Sequence, residues 1–312
     1  MNPIKIIKNR SDIGAGTRGS DMGIDAIEIA AINLENNFFN KHSHIDIKTH
    51  NETIYNKTKN TFAKRIDFVC QQCERLREEV KNELQKGFFP LILSGDHSSA
   101  LGTLSGIQMA NPKKVIGVIW LDAHADIHSP YSTPSGNIHG MPLAAALGFD
   151  NKEFSKNNVS RSTENNWLRM KNMGSKSPII KPENLIYFGV RDTEKEEDQI
   201  IRLKKIKNFS VDEVRDLGLK RSIDQALNRL ISTDIIYISF DVDSLDCDLL
   251  SRGTGTPVSK GFITKEIISI IKSVKDTGKL VALEVCEINP LLDNKGNQMA
   301  ESAFEVISSV LN

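Results

Sequence analysis

The sequence predicts an α/β protein whose mainly parallel central sheet carries helices on both faces. Three observations predict it. Short apolar runs rich in β-branched residues alternate with longer segments of helical periodicity. The runs are continuous rather than alternating, as strands buried on both faces are. Polar, chemistry-bearing motifs follow the runs directly, at the strand ends where open α/β sheets place their sites.

The elements can be taken in order. IKII near 4–7 is the first strand. Residues 8–22, KNRSDIGAGTRGSDM, are rich in Gly, Ser and charge and read as a loop leading into a helix. IDI near 45–47 is a second strand. Residues 61–86 have the pattern of a long amphipathic helix, with Gly87 as its stop. FPLIL at 89–93 runs into SGDHS and a helix over about 99–110. VIGVIWL at 115–121 runs into DAHAD. The polar stretch 149–183, rich in Asn, Ser and Lys, interrupts the alternation like an insertion and holds a short helix around 167–173. LIYFGV at 185–190 leads to VRD and a helix over about 194–206. FSV at 209–211 is a short strand, followed by a helix over about 221–232. IIYISF at 235–240 ends in DVDSLD. A helix over 264–276 ends before Gly278, and the strand at 280–285 passes into CEINP.

Composition bounds what such a chain can do. With 312 residues, 39% of them hydrophobic, it can bury a full core, and no repeat or low-complexity linker divides it. One domain over 1–312 is expected. The 40 Lys+Arg balance 40 Asp+Glu, so no net field favours nucleic acid or an anionic membrane. MNPIKIIKNR lacks the apolar stretch of a signal peptide, and no later run approaches a membrane span. The expectation is a soluble cytoplasmic protein with neither nucleic-acid nor membrane partners. Four cysteines are too few for a disulfide scaffold. Cys70 and Cys73 form a lone CxxC on the long helix and read as packed thiols, as do Cys247 and Cys286.

The chemistry concentrates in two motifs more than a hundred residues apart, DAHAD at 122–126 and FDVD at 240–243. In each, residues two apart share one face of an extended chain. With His97 of SGDHS they give six candidate metal ligands: His97, Asp122, His124, Asp126, Asp241 and Asp243. One divalent cation cannot use all six in a small site, whereas two can, with aspartates bridging them. Oxygen-rich ligation with a little imidazole favours Mn²⁺ over Zn²⁺ and leaves Co²⁺ and Fe²⁺ open. Asp96 and Asp246 fall outside this set and are expected to orient His97 and neighbouring loops by hydrogen bonding. Two such metals would lower the pKa of a shared water and yield a hydroxide nucleophile. Phosphatase, amidohydrolase and guanidine hydrolase chemistry all remain open on the ligands alone.

The longer motifs narrow this. SGDHSSALG at 94–102, IWLDAHADIHSP at 119–130, SGNIHGMPLA at 135–144, ISFDVDSLD at 238–246, TGTPV at 254–258 and LEVCEINP at 283–290 resemble, in order and over nearly the whole chain, the arginase (ureohydrolase) family. The resemblance implies a three-layer α/β/α sandwich and two Mn²⁺ per chain on those six ligands. It implies hydrolysis of L-arginine to L-ornithine and urea, often in a trimer or hexamer. His139 of GNIHGMP matches the family's proton-shuttling histidine, a role that suits an imidazole. Glu287 of CEINP matches the carboxylate that holds the guanidinium, and Asp126 is the ligand counted with these two as catalytic. Ser135, Asn137, Glu194, Glu197 and Thr256 match substrate contacts.

Some positions depart from the family pattern. His128 stands where many arginases have Asn, Glu194 where Asp is common, Ser94 where Gly is usual, and Cys247 where Pro is usual. The metal set stays complete. The departures touch substrate recognition, and leave agmatine, guanidinobutyrate or formiminoglutamate as alternative substrates.

Overall fold

The computed structural model describes residues 2–312. Among these residues eight strands form one sheet in the order β2-β1-β3-β8-β7-β4-β5-β6. They are β1 Ile4–Asn9, β2 Ser43–Asp46, β3 Phe89–Ser94, β4 Ile116–Leu121, β5 Leu185–Phe188, β6 Lys207–Phe209, β7 Ile235–Asp241 and β8 Leu280–Cys286. Every neighbouring pair is parallel.

Alternation along the strands divides the core in two. Ile6, Leu91, Leu93, Ile119, Leu121, Ile238, Phe240 and Val285 face helices Gly23–Asn33, Thr264–Asp276 and Gln298–Leu311. Ile7, Ile92, Val118, Trp120, Tyr187, Tyr237 and Ala282 face helices Ile66–Gln85, Ala100–Ala110 and Arg161–Lys171. Two apolar layers on opposite faces of one sheet make the three-layer α/β/α sandwich, and explain why the strands read as continuous apolar runs. No helix among the described residues is long and apolar enough to cross a membrane.

All eight expected strands are present, with shifted bounds at the weakest. FSV overlaps β6 only at Phe209. Ser210 instead caps the helix Val211–Leu217 by accepting from Glu213 N at 3.2 Å. The long helix starts at Ile66 rather than 61, because Arg65 sits in the left-handed region at φ +56°. The helix expected around 167–173 runs Arg161–Lys171, capped by Ser160. Helix Gln298–Leu311 had no counterpart in the sequence reading.

The polar stretch is docked rather than loose. Trp167 is buried, and its indole Nε1–H donates to Asp150 at 3.1 Å. Arg169 grips Glu74 of the long helix through two bonds of 2.7 and 2.6 Å. Cys70 and Cys73 are buried and unpaired, as packed thiols should be.

Candidate metal centre and active-site cavity

The sheet order brings the motifs together. β3, β8, β7 and β4 are adjacent, so SGDHS, CEINP, DVDSLD and DAHAD emerge side by side at the carboxyl edge. β1 to β2 steps outward on one side and β4 to β6 on the other, with β7 and β8 filling the centre, so the motifs meet where the strand order reverses, as ligand sites of α/β sheets do.

His97 sits at the floor, 1% exposed. Its Nδ1 lies 3.0 Å from Asp122, 3.0 Å from Asp126 and 3.2 Å from Asp241. Its Nε2 pairs with Ser239 Oγ at 2.7 Å, and its ring stacks on Trp120 at 4.0 Å and 8°. The β4–β7 register sets Trp120 opposite Ser239, so two strands fix one imidazole. Donating Nε2–H to Ser239 leaves the Nδ1 lone pair facing three carboxylate oxygens. Nδ1 has no hydrogen-bond partner. A buried lone pair against three carboxylates is repulsive unless a cation lies between them.

A second donor set adjoins the first. His124 Nδ1 is 2.9 Å from Asp243 and 3.6 Å from Asp122 Oδ1. Asp122 therefore turns one oxygen to each histidine. Trp120 Nε1–H holds its Oδ2 at 2.8 Å, and the His124 amide holds Oδ1 at 2.7 Å. Asp243 is held by Ala123 N at 3.0 Å and by Thr256 Oγ at 3.0 Å. The charges are strained as they stand. Burial, then repulsion from Asp122, pushes Asp126 up to about 6. Burial, then Asp243 and Asp122, pushes Asp241 well above the usual range. The residues present thus fit two cations sharing Asp122.

All six expected ligands fall in this cluster. Asp126 sits at φ +49° and Glu287 at φ +64°, left-handed conformations that cost non-glycine residues energy and concentrate at functional sites. Glu287 Oε1 accepts from His97 N at 3.0 Å and from His139 Nδ1 at 2.9 Å. His139 lines a cavity of about 300 Å³ above the donor cluster, and Glu287 is not among the lining residues. A larger cleft, about 520 Å³, opens among Phe88, Lys114 and Lys279, but it gathers no acid–imidazole cluster.

The rim carries the remaining expected residues. Ser135, Asn137, His128, Glu194, Glu197 and Thr256 all line the cavity. His128 Nε2 lies 3.0 Å from Glu194, and its Nδ1 lies 3.1 Å from Ser132 Oγ. Glu194 and Glu197 also form the capping box of helix Lys195–Lys204. The bond from His128 outweighs burial and holds Glu194 down near 2, while burial and the neighbouring Glu194 push Glu197 well up.

The two acids expected to orient His97 and neighbouring loops hold loops: Asp246 Oδ1 accepts from Asp248 N at 3.0 Å and Leu249 N at 3.3 Å. Asp96 pins the N-terminal loop through Gly14 N and caps the turn His97–Ser99 through Ser98 N, both at 2.8 Å, while the His97 ring is oriented by Ser239. Ser94 donates to buried Glu284 at 2.6 Å, and Tyr237 satisfies that carboxylate's other oxygen at 2.7 Å. Trp120 and Arg191 were missed. Trp120 stands two residues before Asp122 on one strand face, which is the signal that could have found it. Arg191 clamps the loop after β7 by donating to the carbonyls of Asp243, Val258 and Ser259, each at 2.9 Å.

The sequence profile of the arginase family matches residues 3–312. The chain belongs to the arginase family. It is 37% identical to an arginase of Brevibacillus brevis, over 96% of this chain and 94% of that one. It is 34% identical to an arginase of Bacillus caldovelox, over 99% and 98%. A crystal structure of the Bacillus caldovelox arginase superposes with a TM-score of 0.84 at 33% identity, covering 100% of this chain and 99% of that one. A formimidoylglutamase of Bacillus subtilis shares the fold at 20% identity and a TM-score of 0.75. In this family member, the two donor sets around Asp122 could hold metal.

Proposed function

We propose that this arginase-family protein is a hydrolase of linear amidines that converts L-arginine to L-ornithine and urea, with two Mn²⁺ as its native cations. The observation that carries the reading is the pair of donor sets sharing Asp122 beneath a cavity that holds His139. His97, Asp122, Asp126 and Asp241 would hold one cation, and His124, Asp122 and Asp243 would hold the other. Bound there, the cations would supply Lewis acidity to a water they share.

The protein's own residues do the rest. The guanidinium reaches the floor and the aliphatic chain lies along the cavity. Glu287 accepts the Nδ1–H of His139 and so favours an imidazolium whose other N–H, at Nε2, is the one free to be given up. As the C–N bond breaks, His139 hands a proton to the departing amine. Glu194 and Glu197 face the α-ammonium group, and Ser135 and Asn137 face the carboxylate. Thr256 acts through Asp243, whose Oδ2 it holds. Family resemblance further supports a homo-oligomer, trimer or hexamer, and a cytoplasmic location.

The test is urea release from L-arginine by purified protein loaded with Mn²⁺, run beside urea release from agmatine and guanidinobutyrate and formamide release from formiminoglutamate. Preference for L-arginine supports the reading. No urea with Mn²⁺, Co²⁺ or Fe²⁺, or a clear preference for another substrate, overturns it.

A further inference from the structure

The cavity poses a charge problem that its lining does not solve. Asp192, Glu194 and Glu197 stand on its rim, and no lysine or arginine is among its lining residues. Cations on the floor would offset Asp126, Asp241 and Asp243, and the substrate's α-ammonium group would answer Glu194 and Glu197, but no lysine or arginine of the lining answers its carboxylate. A substrate carboxylate arriving there meets negative charge and needs a counter-charge close by.

Lys64 is placed to give it. Its Nζ lies 3.1 Å from Asn137 Oδ1, and Asn137 lines the cavity. A lysine only donates, so the amide oxygen must face Lys64 and the amide N–H2 must face the other way. Among the described residues no acceptor takes that N–H2, which is left for a ligand. Gly16 allows the grip to be tight: a Cβ on it would lie 2.5 Å from Asn137 Nδ2.

The lysine's backbone is tied to the same loop. Lys64 N donates to Gly136 O at 2.8 Å. Gly136 holds φ +74°, and a Cβ there would lie 2.0 Å from Thr61 O, so only glycine lets the two segments meet. Residues 61–64 and 135–137 therefore form one clamp that carries Ser135, Asn137 and a cation.

We infer that Lys64 is a positioning and specificity residue for the substrate's carboxylate, acting by its charge and by fixing the Asn137 amide. The inference rests on the reading of the site as one for L-arginine. It is tested in the full-length, Mn²⁺-loaded enzyme with Lys64→Met and Lys64→Arg. A charged hydrogen bond at a partly exposed rim corresponds to roughly a tenfold change in binding. Lys64→Met should raise KM for L-arginine and Ki for L-ornithine about tenfold with kcat held within about twofold. Ki for 1,4-diaminobutane, the same chain without a carboxylate, should not move. Lys64→Arg should restore KM. An unchanged KM, a parallel rise in both Ki values, or a fall in kcat alone overturns the inference. A wild type that releases no urea from L-arginine overturns the substrate reading, and this inference with it.

Discussion

The imidazole of His139 and the carboxylate of Glu287 meet at 2.9 Å, although 148 residues separate them. Glu287 reaches this position from a left-handed backbone at the end of β8, and its same oxygen accepts from the His97 amide at 3.0 Å. One carboxylate thus ties the proposed proton carrier to the backbone of a proposed metal ligand. The expectation from sequence had Glu287 holding the guanidinium directly. In the structure its Oε1 accepts from His139, and Glu287 is not among the residues that line the cavity.

That pairing predicts a titration. Burial resists the imidazolium, but the charge and hydrogen bond of Glu287, with Asp126 and Asp96 behind them, lift His139 to about 9 in the metal-free protein. An unfolded histidine titrates near about 6.5. The pair therefore stabilises the metal-free fold fully below about 6.5, and the contribution is lost as pH rises through about 9. Glu287→Gln should bring the His139 pKa down, read from its ring resonances. His139→Asn should lower kcat by roughly 10²–10⁴ with metal content unchanged. Metal loss in His139→Asn would place the residue among the ligands instead.

The donor cluster predicts opposite effects of one mutation in two states. Asp241 is held protonatable by burial and by Asp243 and Asp122. Removing its charge relieves repulsion, so metal-free Asp241→Asn should melt above metal-free wild type, by roughly 2 °C for each kcal/mol relieved. With Mn²⁺ at 100 times Kd the wild type gains about 2.7 kcal/mol per occupied site by mass action. Asp241→Asn and Asp126→Asn should lose that gain together with nearly all activity. Calorimetry with and without chelator checks both halves, and unchanged metal occupancy in either variant would contradict the ligand assignment.

Trp120 should matter more than a core aromatic does. It stacks on His97 and holds Asp122 through Nε1–H at 2.8 Å. Trp120→Phe keeps most of the packing and removes the bond. Outer partners of this kind are worth about 10–100-fold in metal affinity. Equilibrium dialysis should show a loss in that range with the thermal midpoint of the metal-free protein little changed. A large metal-free destabilisation with normal affinity would reduce Trp120 to packing.

How much of this was legible follows from the range of each contact. The strands and their acidic ends could be read because a doubly buried strand announces itself as an unbroken apolar run, and the residues after it stand at the sheet edge. All six proposed ligands came from that logic. Helix Gln298–Leu311 was overlooked although Met299, Ala303, Phe304, Ile307 and Val310 keep helical spacing. Its small residues, Ala300, Ser302 and Ala303, weaken the pattern. The β6 shift reflects competition at Ser210, where cap chemistry overrides the apolar run. Lys64 and Asn137 could not be paired from sequence, since the clamp depends on how a turn before one helix docks on a distant loop. His128 was flagged as a departure, but its partners Ser132 and Glu194 are visible only once the rim is built.

The polar stretch 149–183 predicts a mutation far from any ligand. Asn157 Nδ2–H donates to Pro130 O at 3.0 Å and to Thr133 O at 2.7 Å, while Asn151 Nδ2–H donates to Ile127 O at 2.8 Å. These bonds brace the loop between Asp126 and Ser135, the part of the rim that carries His128. Asn157→Ala removes two of them from a segment that reaches no metal ligand. Each is worth about 1 kcal/mol, enough to let the rim loosen without unfolding the sheet. KM for L-arginine should rise several-fold, with metal content held and kcat much less affected. A fall in kcat with KM unchanged would mean that the loop acts on the chemistry rather than on the fit of the substrate.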